Sequence, residues 1–212
     1  MLKTVSRFVR RLLNGQPLIV VSGLPRSGTS MAMKMLDAGG VSLVEDSVRT
    51  ADEDNPKGYY EDERVKDLAQ MDDKSWLREA RGKGIKIISH LLRELPPDNN
   101  YKVLFIRRNL DEVLASQAKM LARRGEKSTT DDGTMRELFE GDLWRALYQL
   151  KRGPHFEWLE LDHRSFLDNP KNQAEKIRDF LAMDLDVEAM AAVVDRSLHR
   201  NRAEELVGNA GS

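Results

Sequence analysis

Residues 18–30 read LIVVSGLPRSGTS, an apolar run that breaks at Gly23 into a polar, glycine-flanked loop. The run is short, β-branched and closed by a turn former, which predicts a buried strand. Past the loop, from about Ser27, Met31, Met35 and Leu36 recur at helical spacing. Strand, glycine-rich turn and helix in that order aim the unpaired N–H groups of a helix start at an anion. In the common triphosphate-binding form, GxxxxGK[ST], a Lys directly after the second glycine reaches the β- and γ-phosphates. Here Thr29 stands at that place, and the nearest cation, Arg26, comes earlier in the loop. The loop suits an anion, but its cation is set for something other than the γ-phosphate of ATP.

The same strand–helix alternation continues. Residues 84–89 (GIKIIS) read as a second buried strand ending at His90, and 101–106 (YKVLFI) as a third ending at Arg107 and Arg108. Residues 157–161 read as a fourth. Helices are expected from about Glu61 with Val65, Leu68 and Met71 inward, from Leu110 to Leu121, and from about Met135 to Lys151, with two more near the C-terminus. Asn109 is the expected cap of the second of these, with Glu112 completing a capping-box pattern. Residues 39–60 and 124–134 read as loops, the latter polar and mobile. Alternation of this kind predicts a three-layer α/β/α sandwich around a mainly parallel sheet of about four to five strands. Ligands of such sheets bind beyond the carboxyl ends of the strands, where the Gly23 loop, His90 and Arg108 would converge if their strands are neighbours.

Charge and composition narrow the function. The 212 residues carry a net charge of −1 with 33% charged side chains, so no basic excess points to nucleic acid. Cys is absent and there are four His residues, which removes disulfides and thiolate chemistry and disfavours a zinc site. No metal is expected. No apolar run approaches the ~20 residues of a membrane span, and a cytoplasmic protein is expected. Residues 1–16 form a basic amphipathic helix ahead of a single domain at 17–212. Leu2, Val5, Phe8, Val9, Leu12 and Leu13 lie on one face, and Lys3, Arg7, Arg10 and Arg11 on the other. Such a helix packs by default on its own domain; residues 1–14 lying on an anionic membrane surface are the alternative.

Taken together, GLPRSGTS resembles the 5′-phosphosulfate-binding loop of the P-loop sulfotransferases, in the PRSGT form of its bacterial and tyrosylprotein branches. The sequence IRRNLDEVLAS resembles that family's 3′-phosphate motif, and NPKGYYE (55–61) and LELDHRSFLDNP resemble two further segments of it. The resemblance implies 3′-phosphoadenosine 5′-phosphosulfate (PAPS) as co-substrate. It implies Arg26, Ser27, Gly28, Thr29 and Ser30 at the phosphosulfate, and Arg108 with Ser116 at the 3′-phosphate. Arg107 has no matching role and is expected to face away. Two departures stand out. Cytosolic sulfotransferases carry Lys where Arg26 stands, and a late Arg-Lys-Gly element that is missing here; Arg196, Arg200 and Arg202 are the substitutes at hand.

Sulfuryl transfer needs a base for the acceptor proton. His90 is the first choice, because its ordinary pKa of ~6.5 suits that work and it resembles the His of the cytosolic Lys-Thr-His segment. The plain alternative is a histidine that merely closes a strand. Glu45 with Asp46 is the second choice and Glu61 the third; Lys86 either assists or points outward. Tyr59, Tyr60 and Trp76 either line an acceptor pocket or simply pack. The acceptor is expected to be a small molecule, glycan or peptide presenting a hydroxyl or amine. Two other readings stand beside this one: a small-molecule kinase or NTPase with a degenerate loop, in which Asp162 would be a poor metal-binding Asp, and a non-catalytic nucleotide-binding interaction module.

Overall fold

The computed structural model describes residues 10–46, 60–123, 125 and 130–195. Four parallel strands form one sheet in the order β2-β1-β3-β4: β1 Leu18–Gly23, β2 Gly84–Lys86, β3 Tyr101–Arg107 and β4 Phe156–Asp162. Side chains alternate across a strand, so an all-apolar β1 must feed two cores. Leu18 and Val20 join Ile85, Val103 and Phe105 on one face, while Ile19 and Val21 join Leu104 and Ile106 on the other. The first face is covered by α4 (Asp132–Arg152) and two 3-10 helices, Ser75–Arg78 and Ser89–Glu94, through Leu150, Leu77 and Leu92. The second is covered by α1 (Thr29–Ala38), α5 (His163–Asp168), α6 (Pro170–Leu181) and α7 (Val187–Ala192), through Met33, Phe166, Ile177 and Met190. The expected three-layer parallel α/β/α architecture is the one observed.

β1 is central and the chain moves first to one side of it, then to the other. Strand order therefore reverses between β1 and β3, where Gly23 pairs with Ile106. That is the crevice in which such folds place their ligands.

Several boundaries differ from the sequence reading. β2 ends at Lys86 rather than Ser89, although the Ile87 amide still reaches the Val21 carbonyl at 3.0 Å. Ser89 then ties the chain to α4, its hydroxyl donating to the buried Asp142 carboxylate at 2.5 Å, and His90 lies in the 3-10 helix. The helix expected from Glu61 is only α2, Glu63–Lys66; Asp62 caps it through the Arg64 amide and Asp67 leaves helical geometry at φ −93 and ψ 3. α4 begins before Met135 because the Asp131 carboxylate caps the Thr134 amide. β4 gains a residue at each end, and among the described residues three helices follow it, where two are expected. Asn109 does start α3 (Leu110–Arg123), accepting the amides of Asp111 and Glu112.

Residues 10–14 are helical, and of the six apolar residues on the expected inward face only Leu12 and Leu13 are among the described residues. Arg10 donates to the carbonyls of Pro97 and Asn99 and to the Asn100 side chain, while Leu12 and Leu13 are 71% and 77% exposed. The cation attaches this turn to the domain and the leucines face solvent. Residues 1–9 lie outside the described residues. Among the described residues no helix is long and apolar enough to cross a membrane.

His155 precedes β4, its ring 4.2 Å from that of Phe156 and 5.9 Å from that of Tyr101. Among the described residues neither of its nitrogens has a hydrogen-bond partner. Burial, reinforced by the charge of Arg10, lowers its pKa from 6.5 to about 4. The folded protein keeps the ring neutral while the unfolded chain takes up a proton, so this contribution to stability is complete above the unfolded value and drains away as pH falls toward the folded one. The His155→Phe variant should therefore show a flatter loss of melting temperature between pH 6.5 and about 4 than the parent protein. Parallel profiles for the two proteins would refute this.

Candidate functional site

The site grows from the end of β1. A Cβ on Gly23 would stand 2.6 Å from both the Ile106 carbonyl oxygen and Ser27 Oγ, so only glycine lets the loop turn this close to β3. Gly28, at φ 100, caps α1 in the left-handed region. A Cβ there would strike the His163 ring at 2.5 Å. Between them Arg26 also has a positive φ of 65, a conformation that costs a non-glycine residue about 1–3 kcal/mol. The first N–H groups of a helix have no intrahelical acceptor. Among the described residues those of Gly28, Thr29 and Ser30 find no backbone carbonyl, whereas the Ser27 amide turns back to Leu24. Three amides and the helix dipole thus face the mouth of the loop.

Cations reach this mouth from both neighbouring strands. On the β3 side, Arg26 Nε donates to Ser116 Oγ at 3.1 Å, and Arg108 Nη1 donates to the Arg26 carbonyl at 3.0 Å. Arg108 Nε also donates to Glu112 at 2.9 Å, with both side chains 8% exposed. Glu112 and Ser116 are one turn apart on the buried face of α3. The Arg108–Ser116 spacing read from the sequence therefore converges on Arg26, which touches both residues. Arg107 instead pairs at the surface with Glu160 at 3.8 Å, as expected for a residue facing away.

On the β2 side, Lys86 points inward. Its ammonium donates to Ser30 Oγ at 3.2 Å and to Glu61 at 2.9 Å, and the side chain is buried. The loop has Thr29 where a triphosphate-binding loop has Lys, and here the neighbouring strand delivers an ammonium to the first turn of α1. Asp46 holds Glu61 in place: it accepts the Glu63 amide at 2.6 Å, and its own amide donates to the Glu61 carbonyl at 3.0 Å.

The remaining sequence candidates are more dispersed. His90 is exposed on its 3-10 helix, and among the described residues no hydrogen bond links it to the loop. Glu45 is exposed as well; partial burial, then Asp37 and Asp46, raise its pKa. Burial, then Asp37 and Glu45, likewise raise that of Tyr60. Trp76 packs under the Arg64 guanidinium at 4.2 Å, which accounts for it as packing. Residues 55–59 of the NPKGYYE segment lie outside the described residues, as do Arg196, Arg200 and Arg202. Among the described residues no cluster of His, Asp or Glu is arranged to hold a metal ion.

Sequence reading missed two participants. Glu112 reads in the sequence as a capping residue, yet its position one turn past Arg108 is also an ion-pair spacing. His163 carried no local signal; it reaches Gly28 because β4 lies beside β3 and turns at once into α5.

No protein-family model matches the chain, and no curated protein sequence matches it. Solved structures do. The fold is similar to the sulfotransferase domain of the Synechococcus PCC 7002 olefin synthase, at 17% identity and a TM-score of 0.51, covering 92% of this chain and 83% of that one. It is also similar to a sulfotransferase from Alicyclobacillus acidocaldarius, at 14% identity and a TM-score of 0.51, covering 92% and 91%. At these identities the likeness is one of fold: the chain has the parallel α/β architecture seen in sulfotransferase domains.

Proposed function

We propose that this chain is a PAPS-dependent sulfotransferase of the PRSGT type, acting on a hydroxyl or amine acceptor. The observation that carries the reading is the loop mouth itself. Among the described residues, three amides with no backbone acceptor lie between Arg26 on one side and Lys86 on the other, and the loop has no Lys after Gly28. In this reading the amides of Gly28, Thr29 and Ser30 with Arg26 hold the 5′-phosphosulfate, and Ser27 shapes the turn. Arg108 and Ser116 hold the 3′-phosphate. The acceptor oxygen or nitrogen loses its proton to a base and attacks sulfur in line. The bond from sulfur to the bridging phosphate oxygen breaks, and 3′,5′-adenosine bisphosphate leaves with that electron pair. Negative charge builds on the bridging oxygen, where fixed cations and amides stabilise it without reorganising. Phosphoryl transfer, which depends on positioning and electrostatics in the same way, is the nearest analogy.

His90 remains the proposed base. It sits at the C-terminal side of the sheet, and its exposure leaves the ring accessible to an acceptor. Glu45, whose raised pKa makes it a stronger base than an ordinary carboxylate, is the second choice. Glu61 is less suited, because Lys86 holds it as an ion pair.

Calorimetry with 3′,5′-adenosine bisphosphate in the presence of a chelator should show binding, and Mg-ATP should bind more weakly. Arg26→Ala should weaken the bisphosphate by about 10–100-fold, the scale of a lost charge-assisted hydrogen bond, and Ser116→Ala by up to about tenfold. Preferential, Mg-dependent binding of ATP would overturn the proposal in favour of a kinase.

With PAPS and a panel of phenol, sugar and amine acceptors, His90→Ala should lose about 100-fold or more in turnover while still binding the bisphosphate, as befits a general base. Wild-type turnover of that variant would move the role to Glu45, to be tested by Glu45→Ala.

A further inference from the structure

Arg108 has a place in the proposed chemistry, whereas the carboxylate that pairs with it has none. Glu112 is buried, as is Ser116 one turn further along α3. Its Oε2 accepts from Arg108 Nε at 2.9 Å. An enclosed ion pair of this kind is a poor source of stability, since apolar side chains of similar size often do as well. Its effect is to neutralise a guanidinium while the site is empty.

The same carboxylate acts differently once a nucleotide is bound. Side chains four apart on a helix are neighbours, so Glu112 touches Arg108 and lies next to Ser116. A phosphate within reach of both Arg108 and Ser116 therefore stands about 6 Å from the Glu112 carboxylate. Like charges that close repel strongly where little water lies between them. In the empty site Glu112 supplies the negative charge that Arg108 needs. In the filled site the phosphate supplies it, and Glu112 is surplus. A group that stabilises the empty protein more than the complex weakens the ligand by the difference.

We propose that Glu112 sets how tightly the 3′-phosphate is held, neutralising Arg108 in the empty site and opposing the phosphate in the filled one, so that the bisphosphate product can leave. The inference rests on the reading of Arg108 and Ser116 as the 3′-phosphate site. PAPS and 3′,5′-adenosine bisphosphate both carry that phosphate, so every turnover ends by breaking its contacts, and product release limits many enzymes. An unopposed Arg108 would hold the co-substrate better and the product longer. Paired with Glu112, it recognises the 3′-phosphate without retaining it.

Calorimetry on the full chain compares 3′,5′-adenosine bisphosphate with adenosine 5′-monophosphate, which lacks the group in question. Glu112→Gln is nearly isosteric and keeps an oxygen to accept from Arg108, so it removes the charge and leaves the hydrogen bond. It should bind the bisphosphate at least about tenfold more tightly than the parent, with the monophosphate changed by less than about threefold. Stopped-flow kinetics should show the gain as slower release, because most affinity changes appear in the off-rate. The variant should melt at a lower temperature when empty and gain more from the bisphosphate, a pairing that a purely structural carboxylate would not produce. Should the single variant fail to fold, Arg108→Gln/Glu112→Gln removes both charges and needs no counter-ion. Its preference for bisphosphate over monophosphate should stay within about tenfold of the parent, because the lost attraction and the lost repulsion offset each other; a larger fall would mean that Glu112 never opposed the phosphate. Unchanged or weaker bisphosphate binding by Glu112→Gln overturns the inference and makes Glu112 a support for Arg108 alone. A parent protein that binds both nucleotides equally overturns the 3′-phosphate reading itself, and the inference with it, before any variant is compared.

Discussion

Arg108 joins the two strands on which the site is built. It leaves the end of β3, donates to the Arg26 carbonyl and takes Glu112 as its counter-ion. The Arg26 backbone is in a left-handed conformation that would relax if left alone. Arg108, through the Arg26 carbonyl, and Ser116, through its side chain, hold it there, and these two partly buried polar contacts offset the strain. The loop that results presents its amides in one direction. Without the Arg108 contact, the glycines on either side would leave the turn free to collapse.

Glu112 gives this arrangement an electrostatic consequence. A buried guanidinium with no counter-charge would be costly, and the carboxylate offsets part of that cost. It also means that an incoming phosphate meets an arginine already half satisfied, so it gains from Arg108 only by sharing it. Lys86 is in the same position on the other side, balanced by Glu61. The site is thus a set of pre-paired cations rather than a bare positive patch, which fits a chain whose net charge is near zero.

The parts of this site that were legible in the sequence are those written into contiguous residues. The Gly23–Ser30 loop, the strand ending at Arg108 and the Asn109 cap all depend on neighbours within a few positions. What was not legible depends on tertiary pairing. Lys86 could face either way in an apolar strand, and only its place beside β1 sends it to Ser30. β2 ends early because Ser89 finds Asp142, more than fifty residues away. His163 meets Gly28 because β4 lies next to β3. The basic N-terminal turn shows the limit of periodicity most plainly. The pattern of 10–14 is amphipathic, yet Arg10 finds acceptors at 97–100 and the leucines are left outside. Periodicity identifies a helix with two faces but does not say which face the fold will use.

The central claim is that the loop mouth and the Arg108–Ser116 pair bind the two ends of one nucleotide. A crystal structure with 3′,5′-adenosine bisphosphate tests it most directly. The account predicts the 5′-phosphate on the amides of Gly28, Thr29 and Ser30 beside Arg26, and the 3′-phosphate within hydrogen-bond distance of Arg108 and Ser116. A nucleotide bound elsewhere, or bound through the loop with its 3′-phosphate in solvent away from Arg108 and Ser116, would contradict it.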